Sequence, residues 1–204
     1  MGHTIITIGR QFGSGGGEVA QSIGRKLGIP VYDNELISRA AEESGFSREL
    51  FTRSDERRSL FTLSGFFAPW RFNHGGENFI SDDAMFKIQS DVIREIAEKG
   101  PAVLIGRCSD YILRDRETLD VFVTAPMEYR IERICRREGL DAREAETLIQ
   151  RKDKTRATYY NYYTLGNWGV AAGYDFCIDS SLLGIEGTAD QIIAFGKAAG
   201  RIRG

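Results

Sequence analysis

Five short apolar runs interrupt a chain that is otherwise patterned for helices. They are Thr4-Ile5-Ile6-Thr7-Ile8, Pro30-Val31-Tyr32, Ala102-Val103-Leu104-Ile105, Leu119 to Thr124, and Phe176-Cys177-Ile178-Asp179. Runs this short and this poor in charge predict strands buried on both faces, as in a parallel sheet. Between them the apolar positions take helical spacing. Val19, Ile23 and Leu27 form one stripe, which Gly28 ends as a C-cap. Glu35 to Glu43 reads as a helix. Ser81-Asp82-Asp83 predicts an N-cap for a long helix through Lys99, with Phe86, Val92, Ile93 and Ile96 on one face. Ala125-Pro126 opens a charged helix, Asp141 caps another to about Arg156, and Ile185 to Ala199 closes the chain as an amphipathic helix. Tyr159 to Tyr174 and Ser47 to His74 read as irregular. The alternation of strand and helix predicts an α/β fold with a parallel sheet.

Composition narrows the picture. The chain has 204 residues, which suits one compact domain, and 42% of them are hydrophobic, enough for a core. Against 27 Lys and Arg stand 29 Asp and Glu, a formal net charge of −2. That balance argues against bulk binding to nucleic acid or anionic membrane. Any anion must be held by a local array of cations. Cys108, Cys135 and Cys177 are scattered and form no CxxC pair, which predicts reduced thiols in a cytoplasmic protein. His3 and His74 are isolated, and no metal constellation is expected. No apolar run is long enough for a signal peptide or a membrane span.

The chemistry centres on Gly9-Arg10-Gln11-Phe12-Gly13-Ser14-Gly15-Gly16-Gly17-Glu18, set between a buried strand and a helix. Gly13, Ser14, Gly15, Gly16, Gly17 and Glu18 form the expected phosphate loop. Its backbone N–H groups and the helix N-terminus make an anion cradle. The loop is not a standard Walker A motif, which requires Gly-Lys-Ser/Thr. Gly16 stands at the lysine position and Glu18 at the hydroxyl position. The missing charge must come from elsewhere, and Arg10 is the nearest candidate.

These motifs resemble the cytidylate kinase-like family of P-loop kinases. Gly13 to Ala20 is similar to the Gly-Ser-Gly-Lys-Gly-Thr-Val-Ala loop of bacterial cytidylate kinases. Asp33 to Ala40 is similar to their Asp-Thr-Gly-Ala-Met-Tyr-Arg-Ala segment and keeps Asp33, Arg39 and Ala40. Gly106-Arg107, Thr124-Ala125 with Glu128, Arg130 and Arg133, and Asp153-Lys154-Thr155-Arg156 follow in the family's order. Arg10 and Gln11 fit a branch that carries Gly-Arg-Gln-Tyr/Phe-Gly-Ser-Gly-Gly in place of Walker A. Cys108 departs from the Asp that usually follows Gly-Arg.

The resemblance implies a three-layer P-loop NTPase sandwich, a five-stranded parallel sheet with helices on both faces. It implies one domain over 1–204, with an acceptor-binding insertion at 34–90 and a lid region at 130–172. The implied activity is phosphoryl transfer from ATP, with Mg²⁺ held mainly through phosphates and water, to a nucleoside monophosphate, CMP or dCMP foremost. In that scheme Arg10, Arg130 and Arg133 serve the transferring phosphates, and Asp33, Arg39, Arg107, Asp153 and Arg156 serve the acceptor. The expected partners are nucleotides and small molecules. Tyr159, Tyr160, Tyr162, Tyr163 and Trp168 read as packing the lid or as a homodimer contact before they read as base-stacking groups. Phe61 to Phe72 has no counterpart in the family. The alternative is a nucleotide-binding regulatory or interaction module with little turnover, since the Walker lysine and hydroxyl are missing.

Overall fold

The computed structural model describes residues 3–33, 36–37 and 79–203. Arg39, most of the 34–90 insertion, most of the helix expected at Glu35 to Glu43 and the aromatic run Phe61 to Phe72 lie outside these residues.

All five apolar runs are strands: β1 (Ile5–Arg10), β2 (Val31–Tyr32), β3 (Ala102–Ile105), β4 (Leu119–Thr124) and β5 (Phe176–Asp179). They form one parallel sheet in the order β2-β3-β1-β4-β5. β1 is the centre strand, and its side chains alternate between two cores as a period of two requires. Ile6 and Ile8 face α1 (Gly16–Leu27) and the last helix, burying Val19, Ile23, Ala189 and Ile192. Ile5 faces the other way with Leu104, onto α2 (Phe79–Lys99) and the short α3 (Ser109–Ile112), beside Val92, Ile93 and Ile112. Both faces are therefore covered, and the strands are mostly apolar for that reason.

α4 (Met127–Glu138) and α5 (Ala142–Thr164) follow β4, and a turn of 3₁₀ helix at Ala171–Gly173 leads to β5 and α6 (Ser180–Ala198). Asp141 caps α5 in a reciprocal capping box with Glu144. Two expectations change here. α5 continues two turns beyond Arg156, so the tyrosines expected in an irregular stretch are helical. Tyr163 stacks on Phe86 of α2 at a centroid distance of 4.0 Å, and Tyr159 packs beside both rings. Contacts with a distant helix outweigh a local composition poor in helix formers. α6 also begins earlier than Ile185, but its backbone breaks at Gly184 (φ 64°, ψ −173°), so the expected start marks its second segment. α2 starts at Phe79, two residues before the expected cap, within the usual scatter of helix ends. Among the described residues no helix is long and apolar enough to cross a membrane.

Candidate functional site

The site lies at the C-terminal ends of β1, β3 and β4, where ligands gather on open α/β sheets. The glycine loop leaves β1 and turns at Gly13 (φ 84°) and Gly15 (φ 81°) into α1. Gly15 is the N-cap and offers no side chain to the first-turn N–H groups. Those donors point at the space an anion would take. Gln11, Ser14 and Ser180 hold the loop in place. The Gln11 side-chain oxygen accepts from the Thr124 hydroxyl and from the Ala125 N–H at 3.2 Å. Ser14 donates to the Gln11 carbonyl at 2.9 Å, and the buried Ser180 hydroxyl donates to the Ser14 carbonyl. None of these four bonds is legible from the local sequence.

The glycine at the lysine position has a steric cause. A Cβ on Gly16 would stand 2.6 Å from Arg10 Cβ and 3.0 Å from its Cγ. The Arg10 stem fills the space that a Walker lysine would need. Its guanidinium then runs over Gly106, whose absent Cβ makes room for Arg10 Nη1.

Gly106 (φ 71°), Arg107 (φ 56°) and Cys108 (φ 55°) are left-handed in succession. For the two non-glycine residues this costs about 1–2 kcal/mol each. The turn closes through the Ser109 N–H donating to the Gly106 carbonyl at 3.1 Å. It aims Arg107 into a cleft of about 270 Å³ lined by Arg10, Arg107, Lys152 and Arg156 at its cationic part. Strain of this kind is retained where the surroundings enforce it, often at functional sites.

Arg156, on α5, donates to the Arg10 carbonyl at 3.0 Å and lies over the Phe12 ring. Arg107 lies over the Tyr159 ring, 5.4 Å from its centroid. Burial, then the like charges of Arg156 and Arg107, push the Arg10 guanidinium down to about 9, with Asp33 partly offsetting them. Burial likewise lowers Arg156, against the raising influence of Asp153. Crowded cations with depressed basicity mark a place that gains from an anion.

The other expected residues sit elsewhere. Asp33 accepts from the Leu36 N–H at 3.0 Å, a capping contact, while its charge acts on Arg10. Arg130 and Asp153 do not line the cleft. Arg130 Nη1 pairs with Asp153 at 2.5 Å, with side chains only 6% and 16% exposed. The other Asp153 oxygen accepts the Phe12 N–H at 2.7 Å. Arg130 was expected at the donor phosphates and Asp153 at the acceptor's base or sugar; here each side chain holds the other away from the cleft. Their charges are consumed inside, fixing α4, α5 and the loop to one another. Arg133 donates from Nε to the Gly13 carbonyl at 3.1 Å and pairs with Glu18, at the rim of the loop. Arg136 and Arg137 pair with Glu132 and Glu138 on the solvated face, as charge runs usually do. The Cys108 thiol is buried and pushed up to about 12, mainly by desolvation, so it is an inert occupant of its position.

At the far part of the cleft, Asp110 and Tyr174 join tyrosines and a tryptophan already noted in the sequence. Asp110, Tyr159, Tyr160, Trp168 and Tyr174 line it, and the Tyr160 hydroxyl donates to Asp110 at 2.6 Å. Nothing in the spacing of Asp110 sets it apart. Only its adjacency to the Gly106 turn could have drawn notice.

Comparison with known proteins agrees with this architecture. A cytidylate kinase of Methanopyrus kandleri is 28% identical over 206 residues, covering 96% of this chain and 92% of that one. A cytidylate kinase of Archaeoglobus fulgidus is 28% identical over 195 residues, covering 92% of each. Among solved structures, an uncharacterized protein from Eubacterium ventriosum matches with a TM-score of 0.75 at 29% identity, covering 96% of this chain and 99% of that one. A shikimate kinase from Bacteroides thetaiotaomicron matches with a TM-score of 0.51 at 16% identity, covering 96% and 98%, a likeness of fold alone. The sheet order, the helices on both faces and the strand-loop-helix at Gly9 to Glu18 are those of a P-loop α/β protein. The model of the cytidylate kinase-like family matches residues 5–182, and the chain belongs to that family.

Proposed function

We propose that this protein is an ATP-dependent nucleotide kinase that phosphorylates a nucleoside monophosphate, CMP or dCMP foremost. One observation carries the reading: Arg10, Arg107 and Arg156 converge where the phosphate loop meets the strand ends. Phosphoryl transfer is achieved mostly by positioning and by charge on the equatorial oxygens. Arginine suits that task through its fixed charge and planar fork. In this scheme Arg107 and Arg156 hold the acceptor phosphate. Arg10, rooted against the loop and ending at Gly106, lies between the two phosphates and supplies the cation that Gly16 cannot. The loop N–H groups hold the donor phosphates, with Arg133 at their rim. Among the described residues no three His, Cys, Asp or Glu side chains converge on a metal position. Magnesium would enter with the nucleotide, held mainly through phosphates and water, and would neutralise phosphate charge.

The reading as a binding module with little turnover draws on one feature, the engagement of Glu18 by Arg133 at the mouth of the loop. Glu18 is more than half exposed there and does not fill the cradle. Arg10, by contrast, does occupy the lysine's space, which favours the enzyme. Coupled ADP release with ATP, Mg²⁺ and CMP, dCMP or UMP tests the choice. Acceptor-dependent turnover is expected, lost by about 10³-fold in Arg107→Ala and in Arg156→Ala. Tight ATP or ADP binding without turnover on any acceptor would overturn it in favour of the module.

A further inference from the structure

The hairpin of α4 and α5 carries a small core of its own, apart from the two that cover the sheet. Ile134, Ala145 and Ile149 are fully buried in it. Among the described residues, the side chains packed against these three come from the hairpin itself, except one: Phe12, from the phosphate loop. The loop is fastened on either side of that ring. The Phe12 N–H donates to Asp153 at 2.7 Å, and the Phe12 carbonyl accepts from Arg130 at 3.4 Å. Gly13 runs so close to α4 that a Cβ there would stand 3.1 Å from Arg130 Cβ and 3.2 Å from Ile134 Cγ1. Phe12 does not line the cleft. Any influence it has there passes through another residue.

Two guanidinium groups meet the ring. Arg137 lies 5.1 Å from its centroid and is paired with Glu138. Arg156 lies 5.5 Å from the centroid, lines the cleft and donates to the Arg10 carbonyl at 3.0 Å. How an arginine is held decides what it can still do. A carboxylate partner cancels the charge, as Asp153 does for Arg130. An aromatic ring attracts the guanidinium by its face, leaves the net charge intact and takes none of its N–H donors. Asp153 precedes Arg156 by three residues, on the same face of α5. By accepting the Phe12 N–H it sets the ring in register with the guanidinium.

We propose that Phe12 is a positioning residue of the phosphate site. It acts through Arg156, holding that guanidinium beside Arg10 with its charge and its remaining donors left for a phosphate. By entering the hairpin core it also ties the helix that carries Arg156 to the loop. The proposal rests on the nucleotide-kinase reading above, from which it takes Arg156 as a ligand of the acceptor phosphate.

The test is a double-mutant cycle between Phe12 and Arg156 in the full chain. It is read by calorimetric titration with CMP and with ribose 5-phosphate, and by KM and kcat for CMP and ATP. Phe12→Leu and Phe12→Met both keep an apolar chain in the hairpin core and remove the ring, so one folded variant suffices. Either is expected to weaken both phosphate monoesters by about two- to thirty-fold and to raise the KM for CMP, with the KM for ATP unchanged. In the Arg156→Ala background the same substitution is expected to add nothing. Phe12→Tyr, which keeps the ring, is expected to bind as the wild type does. A loss of the same size with and without Arg156 would overturn the proposal, as would an equal loss for ATP or no loss at all. Coupled weakening of ribose 5-phosphate in a wild type without turnover would overturn the kinase reading and uphold Phe12 as the positioning residue. A wild type that binds neither phosphate monoester would overturn both.

Discussion

Two groups of arginines stand at opposite edges of the same sheet, and their surroundings are opposite too. At the N-terminal edge, Arg116 pairs with Glu98 at 2.6 Å, while Arg203 and Arg201 pair with Glu117 at 2.9 and 3.8 Å. They rim a hollow of about 440 Å³, larger than the cleft at the other edge. At the C-terminal edge Arg10, Arg107 and Arg156 crowd one another, and burial with like charge lowers Arg10. Size therefore does not identify the site. In a parallel sheet the helices end at the N-terminal edge and begin at the C-terminal edge. Helix C-termini favour cations and their N-termini favour anions. Arg201 and Arg203 follow the end of α6 and are balanced by acids at the surface. The arginines at the other edge crowd one another where helix N-termini favour an anion.

That contrast can be broken most severely at Arg10. Arg10→Met keeps the stem beside Gly16 and removes the charge. Turnover is expected to fall by about 10³-fold, while the melting temperature holds or rises, because a crowded buried cation is replaced by an apolar chain. A parallel loss of folding would place Arg10 with the structural arginines instead. Arg130→Ala sharpens the distinction from the opposite side. It leaves Asp153 buried without its cation, so unfolding in urea is expected to show a loss of about 3–5 kcal/mol.

Gly16→Lys, which restores the Walker residue, is expected to hurt. Its Cβ would meet Arg10 Cβ, with a cost of about 1–3 kcal/mol in stability and no gain in rate. Pairing it with Arg10→Gly removes both the Cβ and the Cγ that it would meet, and the double variant is expected to regain part of the stability and part of the turnover. If Gly16→Lys alone proves stable and faster, the claim that Arg10 fills the lysine's place falls. The smallest effect is expected at the balanced edge. Arg203→Ala, an exposed pair member, should change stability by less than about 1 kcal/mol and leave turnover unaltered.

Much of the fold was legible because burial on both faces leaves a strand no choice of residue type. Each of the five apolar runs became a strand, with β3, β4 and β5 matching the expected bounds. The phosphate loop was legible for a similar reason, since close turns before a helix demand glycine. The end of α5 was not legible, because Tyr159 and Tyr163 are held by Phe86, more than seventy residues earlier. The inward pairing of Asp153 was not legible on the same account. Its spacing to Arg156 places both on one helix, yet only the packing of α4 and the loop turns Asp153 inward to Arg130 and Phe12.

By itself the sequence determined the strand-and-helix order, the phosphate loop, the absent lysine and a supply of arginines. These follow from local rules of periodicity, backbone freedom and charge. Only the tertiary structure decided which arginines face a ligand. A guanidinium becomes a binding group or a staple according to what surrounds it, and those surroundings come from segments far apart in the chain. Arg10 and Arg130 are alike in the sequence. One is crowded by Arg107 and Arg156 at an open cleft, and the other is neutralised by Asp153 in the interior.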